Sequence, residues 1–200
     1  MICCSNRAHP WDTFAVSKTW CPSDLRCLIV GESPSEPYIY DAHRRAAIQT
    51  MLLKDLHSHE LIAKPNLSAF RDAGFLFDHA IRCLLPQPVI KQEWRRAKKF
   101  SSNRAETAIH LQPLLSAATK VWVMGYIARN AVAALCREFP RDRSAITKAP
   151  YPCQVGEAPR FFVSRYLLHA SMGERIVIAR RLHYFLDEEG SKTCSQCIAA

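Results

Sequence analysis

Four short segments of the chain are dominated by Val, Ile, Leu or Phe: "RCLIV" (26–30), "GFLFDHAIRC" (74–83), "KVWVMG" (120–125) and "RFFVSRYLLH" (160–169). Runs of this length, each ending near a Gly, Pro, Cys or His, predict core strands. Between them the apolar positions recur at helical spacing. "DAHRRAAIQTMLLKDLHSH" (41–59) repeats Ala47, Met51 and Leu52 on one face and opens on Asp41 as the expected N-cap. "NRAETAIHLQPLLSAA" (103–118) begins with Asn103, carries Glu106 at the capping-box offset and contains Pro113, which predicts a kink. "IARNAVAALCREF" (127–139) follows the third strand after almost no loop, and "MGERIVIARRLHYFLDEEG" (172–190) follows the fourth and stops at Gly190.

Strand and helix in alternation favour right-handed crossovers, so the expected fold is α/β, a three-layer α/β/α arrangement around a central four-stranded, mainly parallel sheet. In such a sheet the ligand lies beyond the carboxyl ends of the strands. That rule puts the turn Gly31–Pro34 at the rim of a cleft, together with His79, Gly125 and His169. No internal repeat or long linker interrupts the pattern. One domain over 1–200 is expected, with an N-terminal extension at 1–24 and a polar tail at 190–200.

Charge adds a candidate partner. Lys and Arg total 27 against 18 Asp and Glu, a net +9. The excess concentrates in "KQEWRRAKKFSSNR" (91–104), where Lys91, Arg95, Arg96, Lys98 and Lys99 surround Trp94 and Phe100. Cations interleaved with rings suit a nucleic-acid backbone, since the cations displace counterions while the rings pack on sugars or bases. A solvated basic surface is the plainer alternative. With no run of 18 apolar residues and no signal-like start, a cytoplasmic, nucleoid-associated protein is expected. The nine cysteines are irregularly placed. Only Cys194 and Cys197 have metal-ligand spacing, and they lack a second pair, so no metal site is expected there.

"VGESPSEP" (30–37) resembles the first motif of the uracil-DNA glycosylase superfamily, particularly its family-four branch, in which a strand runs into Gly-Glu-Ala-Pro-Gly. "HASMGER" (169–175) is similar to that branch's second motif, His-Pro-Ser followed by Arg. "DHAIRCLLP" (78–86) and "VWVMGYIARNAVAAL" (121–135) resemble its second- and third-strand segments. The resemblance covers residues 25 to 188, and four segments in order are more specific than any one of them.

The resemblance implies an enzyme that flips a base out of DNA and hydrolyses its N-glycosidic bond, leaving an abasic site. In that reading His169 donates to the departing base anion, Glu32 orients water or reads the base, and Ser33 stands where the most powerful branch has an orienting Asp. Gly31 and Pro34 shape the base cradle, Tyr38 or Tyr40 stacks on the base, and Asp78 and His79 read its polar edge. His79 occupies the position where the family has Asn, and Ala170 that of the motif Pro. Ser171 and Arg175 would pinch phosphates, aided by the basic stretch.

The same branch holds a four-iron cluster on four cysteines. Here Cys83 matches one ligand, His110 stands at another, and the amino-terminal pair is the adjacent Cys3–Cys4. Adjacent cysteines chelate one cluster poorly, so buried thiols and no cofactor are the expectation, with a cluster as the less favoured alternative. The implied partner is uracil-containing DNA, bound by a monomer. Two other classes compete: a protein of the same fold that binds DNA or a nucleobase without turnover, and an unrelated α/β hydrolase. The second lacks Gly-x-Ser-x-Gly and Walker-type loops to support it.

Overall fold

Each of the four apolar segments contributes a strand, and these strands form the parallel part of one sheet. The computed structural model describes residues 10–34, 36–82, 109–136, 146, 153–155 and 160–187. Helices α1 (Pro10–Thr13) and α2 (Val16–Thr19) lead into strand β1 (Cys27–Gly31). Helices α3 (Ala47–Ser58) and α4 (Leu67–Asp72) precede β2 (Phe75–His79). Then come α5 (Leu111–Ala117), β3 (Lys120–Met124) and α6 (Gly125–Leu135). The chain continues through β4 (Cys153–Val155), β5 (Phe161–Ser164), a 3-10 turn (Leu167–His169) and α7 (Met172–Asp187).

The sheet order is β2-β1-β3-β5-β4, and only the β4–β5 pair is antiparallel. With helices on its faces this is the three-layer α/β/α fold. The edge strand β4 is an addition to the four strands expected, because three residues are too few for an apolar run to stand out. β1, β2 and β5 are buried at every position, as strands covered on both faces must be. One polar pair is built into this core: Trp122 Nε1 donates to Ser164 Oγ at 2.8 Å. That bond satisfies an indole N–H which burial would otherwise leave unpaired.

Several local expectations change. Asp41 does not cap α3; its Oδ1 accepts from the backbone N–H groups of His43 and Arg44 at 2.9 and 3.0 Å, closing a local turn. The helix starts at Ala47, behind Ala46, with no side-chain cap. Pro113 falls in the first turn of α5, where its missing N–H has no intrahelical partner to lose, so it starts the helix without kinking it. Asn103, Glu106 and Gly190 lie outside the described residues. The segment 160–169 is strand only to Ser164, and His169 ends the 3-10 turn that follows. Part of the N-terminal extension belongs to the domain, since Trp11 and Val16 are buried in the core and the Arg82 guanidinium lies 3.8 Å from the Trp11 ring centroid.

β1 leads to β2 on one side of it and is flanked on the other by β3, so the strand order reverses between β1 and β3. At such a switch point the two flanking loops diverge and leave a crevice at the carboxyl ends. Gly31, the last residue of β1, stands in register with His79, the last residue of β2.

Candidate active site

The crevice between β1 and β3 is occupied by the Glu32 side chain. Helix α6 starts directly from β3, and its cap residue Met124 offers no side-chain acceptor. The first-turn N–H groups therefore need a partner from elsewhere. Glu32 supplies it: Oε1 accepts from the Ile127 N–H at 3.2 Å, and the Tyr126 N–H also bonds this carboxylate. Burial pushes the Glu32 carboxyl up, while these N–H groups and nearby His169 pull the other way.

Two glycines make room for this arrangement. Gly125 has φ +87°, and a Cβ there would lie 2.5 Å from Glu32 Oε1. Gly125→Ala is expected to cost roughly 1–2 kcal/mol through its left-handed backbone alone, and to push the carboxylate out of place. A chemical-denaturation midpoint equal to wild type would remove this requirement. Gly31 is needed for close approach, since a Cβ would meet the Phe77 ring at 2.7 Å.

His169 belongs to the same mouth. It is exposed, its N–H donates to the Tyr166 carbonyl at 2.9 Å, and its ring meets the Tyr166 ring edge-on at 5.8 Å. Tyr166 is buried, and both burial and the Glu32 charge push its phenol up. Glu32, Tyr166 and His169 thus form one electrostatic group. Ser33 is half-buried and Pro34 buried in the same turn.

Ser171 and Arg175 have other partners. The Ser171 hydroxyl accepts from the Glu174 N–H at 3.3 Å, and the Ser171 N–H donates to Glu174 Oε2 at 2.8 Å, a reciprocal capping box that starts α7. Arg175 holds Asp55 of α3 through two parallel bonds of 2.9 Å. Its guanidinium fastens α7 to α3, so the expected phosphate contact is corrected to a structural one. Ser171 keeps its own O–H free to donate while it caps the helix.

The base-reading side of the cleft also differs from expectation. Asp78 is fully buried and bound by Arg82, with Nη2–Oδ2 at 2.7 Å, and its Oδ1 accepts from the His79 N–H at 2.7 Å. Those bonds consume the acceptors that were to read a base. His79 is buried beside it, and its Nδ1 has no hydrogen-bond partner among the described residues. Burial first, then the charges of His110 and Arg82, push its pKa down from 6.5 to about 3. The ring is therefore neutral, and Nδ1 is a buried polar atom without a partner among the described residues.

Neither tyrosine is an open platform. The Tyr40 hydroxyl donates to the Phe77 carbonyl at 3.1 Å and accepts from the Phe77 N–H at 2.7 Å, while its ring stacks on Trp20. Tyr38 is buried between Phe14, at 5.3 Å, and His79, at 5.7 Å between centroids. Tyr126, second residue of α6, has an exposed ring, and its N–H bonds the Glu32 carboxylate.

No protein-family model and no curated protein matches this sequence.

Lys91, Arg95, Arg96, Lys98 and Lys99 lie outside the described residues, as do Cys3, Cys4, Cys83, Cys194 and Cys197. His110, the remaining candidate cluster ligand, has Nε2 at 2.8 Å from the His79 carbonyl oxygen and 3.7 Å from Asp78 Oδ2. That nitrogen is committed to the protein. Cys27 is a buried thiol pushed up to about 12 by burial, which makes it a core filler. Sequence reasoning overlooked Tyr126 and Tyr166. "SMGE" carries a visible capping-box signal for Ser171, whereas nothing local distinguishes either tyrosine from core.

Proposed function

We propose that the chain is a monofunctional DNA-repair glycosylase that hydrolyses the N-glycosidic bond of uracil, or a related deaminated base, flipped from DNA. The observation that carries this reading is Glu32 at the switch point with His169 in electrostatic reach of it, because the reaction needs both signs of charge to be met. As the bond to the anomeric carbon breaks, its electron pair leaves with the base and His169 donates a hydrogen bond to the resulting anion. Water adds its hydroxyl to the sugar cation, and its proton passes to Glu32, whose burial raises its proton affinity. The Ser33 hydroxyl would orient that water, and His79 Nδ1 would meet the base edge.

A second reading is a protein of this fold that binds DNA or a nucleobase without turnover. The direct contact of the Tyr38 and His79 rings favours DNA binding without base flipping, since no gap for a third ring separates them.

Labelled single- and double-stranded oligonucleotides carrying uracil, hypoxanthine or a thymine mismatch, cleaved with alkali after incubation, separate the two. Strand breaks reduced about 10²–10³-fold in His169→Ala are expected. Mobility shifts without breaks favour the second reading, and neither signal ends both.

A further inference from the structure

Helix α7 carries apolar side chains on two opposite faces. Ile178, Leu182, Phe185 and Leu186 are buried on the face turned to the domain. On the outer side Met172, Ile176, Val177 and Tyr184 are exposed, and they make up most of the large apolar side chains exposed among the described residues. Gly173, Val177, Arg180 and Tyr184 recur there at the four-three-four spacing of a seam that meets another helix. Gly173 has no use within the monomer. It stands in the helix without a positive φ, and a Cβ added to it would meet no atom within 4 Å. A glycine disfavours helix, and on an open helix surface its return is the close approach of something from outside the domain.

We propose that the outer face of α7 is a homodimer interface, on which a second copy of the chain docks its own α7 antiparallel. The face is complementary to itself under a two-fold axis that passes between Ile178 and Ala179. In that register Tyr184 of each copy lies over Gly173 of the other, so the ring fills the space that the glycine leaves. Val177 packs on the Arg180 stem of the second copy. On one flank Glu174 of each copy meets Arg181 of the other. The Glu174 carboxylate already bonds the Ser171 N–H and Arg165, and a carboxylate has lone pairs for a further cation. Glu174 and Asp187 stand on the exposed side of the helix with the arginines, which favours a second copy of mixed charge over an anionic surface. The two Arg180 side chains approach each other near the axis, and this like-charged pair keeps the dimer weak. The monomer expected from the sequence is then the dilute form. The interface is independent of the glycosylase reading.

Sedimentation velocity of the full chain from about 1 to 300 μM tests this. A monomer–dimer equilibrium in the micromolar range is expected, since one pair of 16-residue helices buries less than a standard interface. Gly173→Leu, whose Cβ meets nothing in the monomer, should weaken the dimer about tenfold or more by occupying the space for Tyr184. Arg180→Leu should tighten it by removing the like charges from the seam. A monomer at every concentration overturns the proposal, as does a dimer that Gly173→Leu leaves intact or that Arg180→Leu loosens. Co-sedimentation of a monomeric chain with phosphatidylserine vesicles, abolished by Val177→Asp, assigns the face to a membrane surface and equally overturns it.

Discussion

Acidification through the window from pH 6.5 to about 3 removes stability at about 1.4 kcal/mol per pH unit through His79 alone. The folded protein keeps this imidazole neutral, because it is buried and faces the charges of Arg82 and His110. The unfolded chain takes up a proton as soon as the pH falls below the ordinary histidine value. It therefore binds more protons than the fold throughout that window, and stability falls with pH. Asp78 and Glu32 act in the opposite sense, since burial raises both carboxyls and their protonation favours the fold. Urea-denaturation midpoints across the window, for wild type and His79→Gln, isolate the histidine. The variant should give the flatter profile. Parallel profiles would show that His79 takes up its proton as readily in the fold as in the unfolded chain.

Tyr40→Phe is expected to destabilise the protein by roughly 2–6 kcal/mol although it deletes a single oxygen. β2 is the outer strand of the sheet, so the N–H and C=O of Phe77 have no neighbouring strand to bond on that side. The Tyr40 hydroxyl serves both, donating to one and accepting from the other. Phenylalanine fills the same space but leaves two buried backbone groups unpaired, each costing about 1–3 kcal/mol. Equilibrium unfolding measures the loss. A change below about 0.5 kcal/mol would mean that water replaces the hydroxyl at this edge.

These two side chains also bear on the site. Tyr40 supports the strand that ends in His79, and the Arg175–Asp55 pair anchors the helix that follows His169. Residues expected to touch DNA or a base thus hold in position the ones that line the mouth. Glu32 shares this double character, because the carboxylate proposed to take a proton from water also caps α6.

The amino-acid sequence by itself determined the four parallel strands, most of the helices, the α/β class and the placement of Gly31 and Glu32 at a strand end. Those features depend on hydrophobic period and on turn residues, which act over a few positions of chain. It did not determine the short edge strand β4, the destination of Asp41, or the partners of Tyr40, Asp78 and Arg175. A side chain's partner is chosen by what folding brings beside it, and Asp55 lies far from Arg175 in the chain but 2.9 Å away in space. For the same reason only the tertiary structure decided that Glu32, Tyr166 and His169 share one mouth.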